Sequence, residues 1–377
     1  MHAAQPKQRI VTDKSFGYPF LSPFVFIILL FFIAFSSPVL ASEPAGAGAV
    51  DSASASEEFN PVTTILHHVL DNHDWHLFDM PGENGVVHPV SLPLPVILYS
   101  EGQFDVFMSG EFHHGHASVV RGEREYMLDS HGHITDKAGH QVLDFSITKN
   151  VASMLIAVVL ILLIFIRGAR SYEGSHGKPV GIAKVVEPLV LFVRDDIAIP
   201  NIGPHYKRYM PFLLTSFFFI WINNLLGLIP SGANFTGNIN VTATLAVFTL
   251  LITNFSGTRT YWGHIFTPHV PLWLYPIMIP VEMVGIVAKP IALMIRLFAN
   301  ITAGHIIILS LISLIFVFKS LFIAPVSLAF VLFISCIELL VAALQAYVFT
   351  LLSALFIGLA LEEPHAEALH YPLHKLF

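Results

Sequence analysis

Residues 291–300 read Ile-Ala-Leu-Met-Ile-Arg-Leu-Phe-Ala-Asn and lie near the middle of an apolar stretch that runs from 271 to 361. No acidic residue lies within one helical turn of Arg296, so no carboxylate three or four positions away neutralises it. A guanidinium does not release its proton to avoid burial. At the centre of a bilayer its charge costs from about 3 to about 15 kcal/mol. We therefore expect Arg296 to face water, a partner or a transported ion.

The composition is typical of a membrane protein. The mean hydropathy is +0.69, and only 12% of the residues are charged, about half the usual share in soluble domains. The net charge of -7 provides no basic surface for nucleic acid, so we expect no partner of that class. Cys336 is the single cysteine, which excludes an intrachain disulfide, and we expect it to be a small buried hydrophobe.

Residues 1–41 have the features of a signal peptide. Three basic residues precede an apolar core over 24–35, and Ala41 ends a Val-Leu-Ala cleavage site. We expect cleavage after Ala41, with a retained membrane anchor as the alternative. In both cases the chain from 42 to 147 forms an exported domain.

This exported domain is predicted to be a small α+β segment. Residues 59–77 favour a short helix, and 96–100 and 104–109 favour strands. Eleven of the 20 histidines lie in the domain, and His73 and His76 would share one face of that helix and could hold Zn²⁺. No acidic or cysteine ligand follows at motif spacing, so we predict solvated histidines and no metal site.

From 148 to 377 the chain is predicted to belong to the membrane. Residues 151–166 form one upright span, and the basic residues that follow mark the next connector as cytoplasmic. These are Arg167, Arg170, Lys178, Lys184, Arg194, Lys207 and Arg208. Within that connector, 180–199 mixes charged and apolar positions, which favours a helix in the membrane interface. A break of this helix near Pro188 is left open.

The remaining apolar segments complete an all-α polytopic membrane protein. Residues 211–230 and 241–255 form a transmembrane hairpin, and a cytoplasmic connector over 257–271 follows. Two long antiparallel helices over 273–317 and 322–361 come last. Each would be about 60 Å long, roughly twice the hydrocarbon thickness, so we expect both to be steeply tilted.

Polar residues in the two long helices follow a pattern. Glu282, Lys289 and Arg296 recur every seven residues and form a stripe with about 20° of drift per step. Asn300 extends that face by one turn, whereas His305 is rotated by roughly half a turn.

The turn near 320–321 predicts which residues of the two helices face each other. Residues whose numbers sum to about 642 would be opposite, which pairs Arg296 with Gln345 and His305 with Glu338. The alternative is that each polar side chain only joins helices through hydrogen bonds. Because four residues match one register, we favour a functional site.

The residue types suggest proton chemistry. A His/Glu pair takes up and releases protons near neutral pH. Arg296 does not relay protons, but it stabilises a passing ionised carboxylate and interrupts a continuous water path. Gln345 would hold the guanidinium plane in position without adding a counter-charge. The combination predicts an ion path that is broken at Arg296 and completed by a mobile acid on another subunit.

Two stretches carry a family resemblance. Residues 289–305, Lys-Pro-Ile-Ala-Leu-Met-Ile-Arg-Leu-Phe-Ala-Asn-Ile-Thr-Ala-Gly-His, resemble the signature of subunit a of the F-type ATP synthases. Residues 344–349, Leu-Gln-Ala-Tyr-Val-Phe, are similar to a second motif of that family. Weaker matches are 223–230 and the Glu-Glu-Pro-His ending, and the resemblance covers about 149–365.

The resemblance implies roles for the residues that match. Arg296 corresponds to the essential arginine, which faces the carboxylates of the rotating c-ring. Asn300 and Gln345 correspond to its polar neighbours. His305 and Glu338 correspond to the acid/imidazole pair of the half-channel that opens to the exported side.

Glu282 corresponds to a polar position toward the cytoplasmic half-channel. Ala299 stands where many members have Gly, which is a minor departure. The exported domain is longer and richer in histidine than the short N-terminus common in the family.

The resemblance implies a proton-channel stator subunit of a rotary ATP synthase in a bacterial inner membrane, with an exported N-terminal domain and a cytoplasmic C-terminus. Its partners would be the c-ring, the peripheral-stalk subunit b and the lipid bilayer, within a hetero-oligomer and without a cofactor. The alternatives are a secondary ion transporter, which should show two related halves, and a structural membrane anchor, which leaves the charges unexplained. The sequence contains no phosphate-binding loop and no nucleophile motif, so we do not expect an enzyme that acts alone. The protonatable pair favours H⁺ over Na⁺.

Overall fold

The computed structural model describes residues 71–81, 87–115, 117–129, 132–173, 178–229, 232–268, 270–318 and 322–362. The predicted signal segment, the predicted helix before residue 71 and the Glu-Glu-Pro-His ending beyond Glu362 lie outside these residues.

Short strands make up the described part of the N-terminal domain. They are β1 (Asp74–Pro81), β2 (Val87–Pro93), β3 (Pro95–Ser100), β4 (Gln103–Met108), β5 (Val119–Arg121), β6 (Arg124–Leu128), β7 (Ile134–Asp136) and β8 (Leu143–Asp144). The antiparallel sheets have the orders β1-β2, β4-β3-β8 and β5-β6-β7. The predicted strands over 96–100 and 104–109 are confirmed as β3 and β4.

The C-terminal end of the helix predicted over 59–77 is wrong. Asp74 already begins β1, which pairs with β2 from Asp74 opposite Pro93 to Pro81 opposite Val87. Ladder hydrogen bonds to a partner strand outweigh the local helical spacing, because strand preference depends on cross-strand context.

Helices make up the rest of the described chain. They are α1 (Lys149–Glu173), α2 (Ala183–Phe192), α3 (Ile199–Ile202), α4 (Tyr206–Gly227), α5 (Ile239–Ser256), α6 (Arg259–Phe266), α7 (Tyr275–Phe318) and α8 (Ile323–Leu361). Within the described residues, five helical segments are long and apolar enough to cross a membrane: α1, the run from α2 to α4, α5, α7 and α8. The mostly helical, multi-pass fold class is thereby confirmed, and α7 and α8 begin and end within two residues of the predicted limits.

Hydrogen bonds join the N-terminal domain to the start of α1. Lys149 N donates to Asn72 O over 2.9 Å, and the Asp71 carboxylate accepts from Thr148 Oγ1 and from Asn150 N. Such partners satisfy backbone donors at the first turn that have none within the helix.

The helix that begins at Ala183 does not break at Pro188. It continues to Phe192 and passes into a π-helical segment, Val193–Ala198, before α3. A proline inside a helix removes one backbone hydrogen bond, and the wider π turn five residues later accommodates the irregularity. The π segment packs into the core through Val193, Ile197 and Ala198.

Burial differs sharply between the early and the late helices. The most apolar window of the α2–α4 run is 83% buried, whereas the corresponding windows of α7 and α8 are only 17% and 22% buried. The two long helices therefore form one side of the molecule and present a broad apolar face outward. Cys336 lies on this face and is exposed, so the expectation of a buried cysteine is wrong.

Gly358 allows the C-terminal part of α8 to pack closely on α3. A Cβ added at Gly358 would lie 1.9 Å from Asn201 O, a backbone atom that does not rotate away. Only glycine permits this approach of the two backbones.

We expect Gly358→Ala to destabilise the contact between α8 and α3 by about 1–3 kcal/mol, the usual cost of overpacking. The matched control is Gly285→Ala in α7, because an added Cβ there meets no atom within 4 Å. Thermal unfolding of the detergent-solubilised assembly should begin at a lower temperature for Gly358→Ala alone. Equal stability of the two variants would contradict the close packing.

Candidate functional site

The two sides of α7 have different surroundings near Arg296. Arg296 and Asn300 lie on an exposed side. The buried side carries residues at intervals of four: Leu293, Leu297, Ile301 and His305. This difference agrees with the predicted half-turn between Arg296 and His305.

The guanidinium of Arg296 has neither a hydrogen bond nor an ion pair with any residue that the structure describes. One turn before it on the same side is Ala292, and one turn after it is Asn300, both exposed. These small side chains leave the guanidinium approachable from outside the chain. Its charge therefore has no compensation within the described part of the molecule.

Contacts between α7 and α8 establish their register at three depths. The pairs are Leu311 with Ser327, whose hydroxyl donates to the Leu311 carbonyl, Gly304 with Glu338, and Lys289 with the Phe356 ring. Their residue numbers sum to 638, 642 and 645. These sums agree with the antiparallel register near 642 that the sequence predicts.

The Glu338 carboxylate rests on Gly304. A Cβ added at Gly304 would lie 2.8 Å from Oε1 of Glu338 and 3.1 Å from its Cδ. Gly304 lies four residues after Asn300 and eight after Arg296, so these positions share one side of α7. The missing side chain lets the carboxylate lie over that side, about 12 Å along the axis from Arg296. Oε2 of Glu338 is buried and has no hydrogen-bond partner among the described residues.

His305 and Gln345 are both buried, as is Glu338. On α7 the Glu338 carboxylate adjoins Gly304, the residue that precedes His305. Gln345 faces the interior, and no hydrogen bond joins it to Arg296 among the described residues, so the amide support of the guanidinium stays a prediction.

The N-terminal part of α7 borders a small cleft that is lined by both apolar and polar side chains. Tyr261 lines this cleft, and its own burial together with the negative charge of Glu282 raises the pKa of its hydroxyl. Glu282 is half-buried. The Tyr261 hydroxyl donates to Asn254 Oδ1 over 3.1 Å. The cleft has an interior volume of about 20 Å³, enough for about one water molecule, and Thr253, Asn254, Tyr261 and Lys289 line it. Thr253 Oγ1 is buried without a hydrogen-bond partner among the described residues.

A cluster of buried polar side chains lies behind α8. Asn224 Nδ2 donates to Ala342 O over 3.2 Å, and Thr236 Oγ1 donates to Asn224 Oδ1 over 2.7 Å. The neighbouring Asn223 donates only within its own helix, to Phe219 O over 2.8 Å. The cluster thus links α4 to the segment of α8 between Glu338 and Gln345.

The histidines of the N-terminal domain do not form the helical zinc site considered above. His73 lies before β1 and bonds Asp144 over 2.7 Å, whereas His76 lies within the strand. His140 contacts Asp136 over 2.7 Å and Glu101 over 3.2 Å. Within the described residues, no group of three or more histidine, cysteine or acidic side chains could hold a metal ion.

The family model described as ATP synthase A chain matches residues 151–358, which include Glu282, Arg296, Asn300, His305, Glu338 and Gln345. The chain belongs to this family. It is 53% identical over 234 residues to ATP synthase subunit a of Chloroherpeton thalassium, covering 60% of this chain and 70% of that protein. It is 42% identical over 334 residues to ATP synthase subunit a 2 of Chlorobaculum tepidum, covering 86% and 79%.

A third relative is similar as well. ATP synthase subunit a of Myxococcus xanthus is 43% identical over 262 residues, covering 68% of this chain and 86% of that protein. A second family model, described as a domain of unknown function (DUF8433), matches residues 64–153.

Sequence reasoning missed Gly304, Asn224 and Tyr261. Gly304 could have been found from the predicted register, because its number and that of Glu338 sum to 642. Asn224 is a polar residue in an apolar span, which is an expected sign of a hydrogen bond between helices. Tyr261 lies in a connector in which the short helix α6 was not predicted, although Thr258 provides its N-cap.

We expect cysteines at positions 304 and 338 to form a disulfide in a Cys336→Ser background, because the glycine Cβ position adjoins the Glu338 side chain. The control pair at 304 and 345 is displaced by seven residues, about 10 Å along α8, beyond the reach of a disulfide. Electrophoretic mobility of the oxidised chain would distinguish the two pairs. Efficient crosslinking of 304 to 345 would refute the register.

Proposed function

We propose that this chain forms two aqueous half-channels, one opening to each side of the membrane, with Arg296 between them. Members of its family are the proton-channel stator subunits of the membrane sector of ATP synthase, and this chain is one of them. On its own it has no catalytic role, and it acts as one membrane subunit of a larger complex. The observation that carries the proposal is the exposed Arg296 guanidinium, which has no partner within the described ranges of the chain.

Arg296 would interact with a carboxylate of the c-ring. An unpaired charge on an apolar helix is costly in a bilayer, and an ionised carboxylate on a passing subunit would offset that cost. Because Arg296 stays protonated, it stabilises the ionised form of each carboxylate in turn. A positive charge in the path also opposes direct passage of H⁺ between the half-channels. Asn300, one turn away on the same side, would orient the guanidinium or the incoming carboxylate.

Glu338 would be the proton-exchanging group of the outer half-channel. Its carboxylate lies on the Arg296 side of α7 but about two turns away, and Oε2 has no hydrogen-bond partner within the part of the chain that the structure describes. His305, the next residue after Gly304, would exchange protons with it through water rather than by direct contact. Gln345 is buried on the same side of α8 and would shape the path between Glu338 and Arg296.

Glu282 and the small cleft next to Tyr261 would form the inner half-channel. Tyr261, Asn254 and Thr253 bring hydroxyl and amide groups to a site large enough for water. Lys289 lies between Glu282 and Arg296 along α7 and contacts the Phe356 ring. This arrangement supports a hydrated route that ends one to two helical turns before Arg296 along α7.

The topology proposed for the membrane follows from charge. The basic connector between α1 and α4 would be cytoplasmic, which places the N-terminal domain outside and the C-terminus inside. The 42–147 domain would then lie on the exported side, with the membrane domain from 148 onward in a bacterial inner membrane. The interfacial position of α2 and the steep tilt of α7 and α8 belong to this proposal, as does contact with the peripheral-stalk subunit b.

We expect Arg296→Gln to abolish ATP-driven acidification of inverted membrane vesicles while the complex still assembles. Arg296→Lys should also fail, because an ammonium lacks the planar fork and loses its proton more readily when desolvated. The matched control is Lys184→Gln, which removes an exposed cation from α2, outside both proposed half-channels, and should retain most of the pumping. Normal acidification by Arg296→Gln would refute the role of this residue.

Access from the two sides provides a separate test. In a Cys336→Ser background, single cysteines at 305 and 338 should react with a membrane-impermeant thiol reagent from the outer face. A cysteine at 282 should react from the inner face. Sealed vesicles of both orientations allow the two sides to be compared. The reverse pattern of labelling would contradict the proposed direction of proton movement.

A further inference from the structure

Asn224 makes a hydrogen bond that crosses from α4 to α8. Its side chain is 2% exposed, and Nδ2 donates to the backbone carbonyl of Ala342. Ala342 lies one turn after Glu338 and three residues before Gln345, so the bond meets α8 between the two buried polar residues. A bond from one helix to the backbone of another restrains both the axial position and the rotation of the second helix.

Thr236 sets the orientation of this amide. Its hydroxyl donates to Asn224 Oδ1, which turns Nδ2 toward Ala342. The reverse orientation would place the amide oxygen against the Ala342 carbonyl, where two acceptors repel each other. Thr236 is itself held in a 3₁₀ turn, Phe235–Gly237, that Asn234 caps by accepting from Gly237 N.

The same turn also reaches α7. Thr302 Oγ1 donates to Gly237 O over 3.4 Å, two residues before Gly304. A continuous set of contacts therefore runs from Ala342 through Asn224 and Thr236 to Thr302. It connects α8 to α7 at the depth at which Glu338 rests on Gly304.

We infer that Asn224, oriented by Thr236, is a positioning residue that keeps the Glu338 carboxylate over Gly304. The helices α7 and α8 share few polar contacts of their own, and both are largely exposed to the outside. Without the cross-helix bond, α8 could slide or rotate relative to α7 and carry Glu338 off the side of α7 that bears Arg296. This inference rests on the proposed role of Glu338 in the outer half-channel.

Asn223 provides a matched control. It is also a buried asparagine in the same helix, but its amide donates to Phe219 O within α4 and its Oδ1 has no hydrogen-bond partner among the described residues. Replacing Asn223 by Leu removes a buried amide of the same size without breaking a contact to α8. A difference between the two positions therefore reports the bond to Ala342 rather than the loss of a polar group.

The geometric test uses disulfide formation between cysteines at 304 and 338 in the assembled complex, with Cys336→Ser throughout. We expect Asn224→Leu to slow crosslinking by about threefold to tenfold, the range that corresponds to a hydrogen bond between membrane helices. Thr236→Val should have a smaller effect in the same direction, whereas Thr236→Ser retains a hydroxyl and should behave as the native protein does. Asn223→Leu should crosslink at the native rate.

The functional test keeps Gly304 and Glu338 intact. In inverted vesicles with equal amounts of assembled complex, Asn224→Leu should lower ATP-driven acidification and shift its pH profile, whereas Asn223→Leu should not. If Asn224→Leu does not assemble, both the crosslinking and the acidification are measured with Thr236→Val. This variant leaves Asn224 in place and removes only the hydroxyl that orients its amide. Native crosslinking by Asn224→Leu and Thr236→Val, or equal defects in the Asn223 and Asn224 variants, would overturn the inference.

Failure of the proposed function would give a different result. If Arg296→Gln pumped normally while Asn224→Leu still slowed the crosslink, the positioning contact would stand and the half-channel proposal would fall. If the crosslink did not change while Arg296→Gln lost pumping, only the positioning role of Asn224 would be refuted.

Discussion

The positive charge of Arg296 is the constraint on which the arrangement of the membrane domain depends. The described part of the chain supplies no carboxylate and no hydrogen-bond acceptor for it, and burial in lipid would cost several kcal/mol. A chain that keeps such a charge on an exposed side of a long apolar helix is incomplete without a partner. The two long helices present that side outward, and the compact α2–α4 run supports them from behind.

Polar groups occur at three depths along α7 rather than in one cluster. Glu282 and the cleft beside Tyr261 mark one end, Arg296 the middle, and Gly304 with Glu338 the other end. Gly304 explains how a carboxylate from α8 gains access to the Arg296 side of α7, because any larger residue would occupy the space of Oε1. The buried amide of Asn224 in α4 and the turn at Phe235–Gly237 connect both helices at that depth.

Much of the fold could be predicted from the sequence because apolar length and charge placement determine helices in a membrane. The register was predictable because two antiparallel helices joined by a short turn bring together residues whose sequence numbers add up to a nearly constant value, here about 642. Contacts that depend on the absence of a side chain were not predictable, and the contact of Glu338 with Gly304 is the main example. Orientation about a helix was also missed for Cys336, because an apolar span does not reveal which side faces lipid. The strand at Asp74 was missed because its partner lies farther along the chain.

A structure of the intact complex in lipid tests the central claim most directly, through the distance from the Arg296 guanidinium to the nearest acidic side chain of a neighbouring subunit. We predict that the exposed side of α7 and α8 faces the ring. A ring carboxylate should contact the Arg296 guanidinium directly or through one bridging water molecule. Lipid against this side of α7, with the ring bound to another face of the molecule, would contradict this prediction.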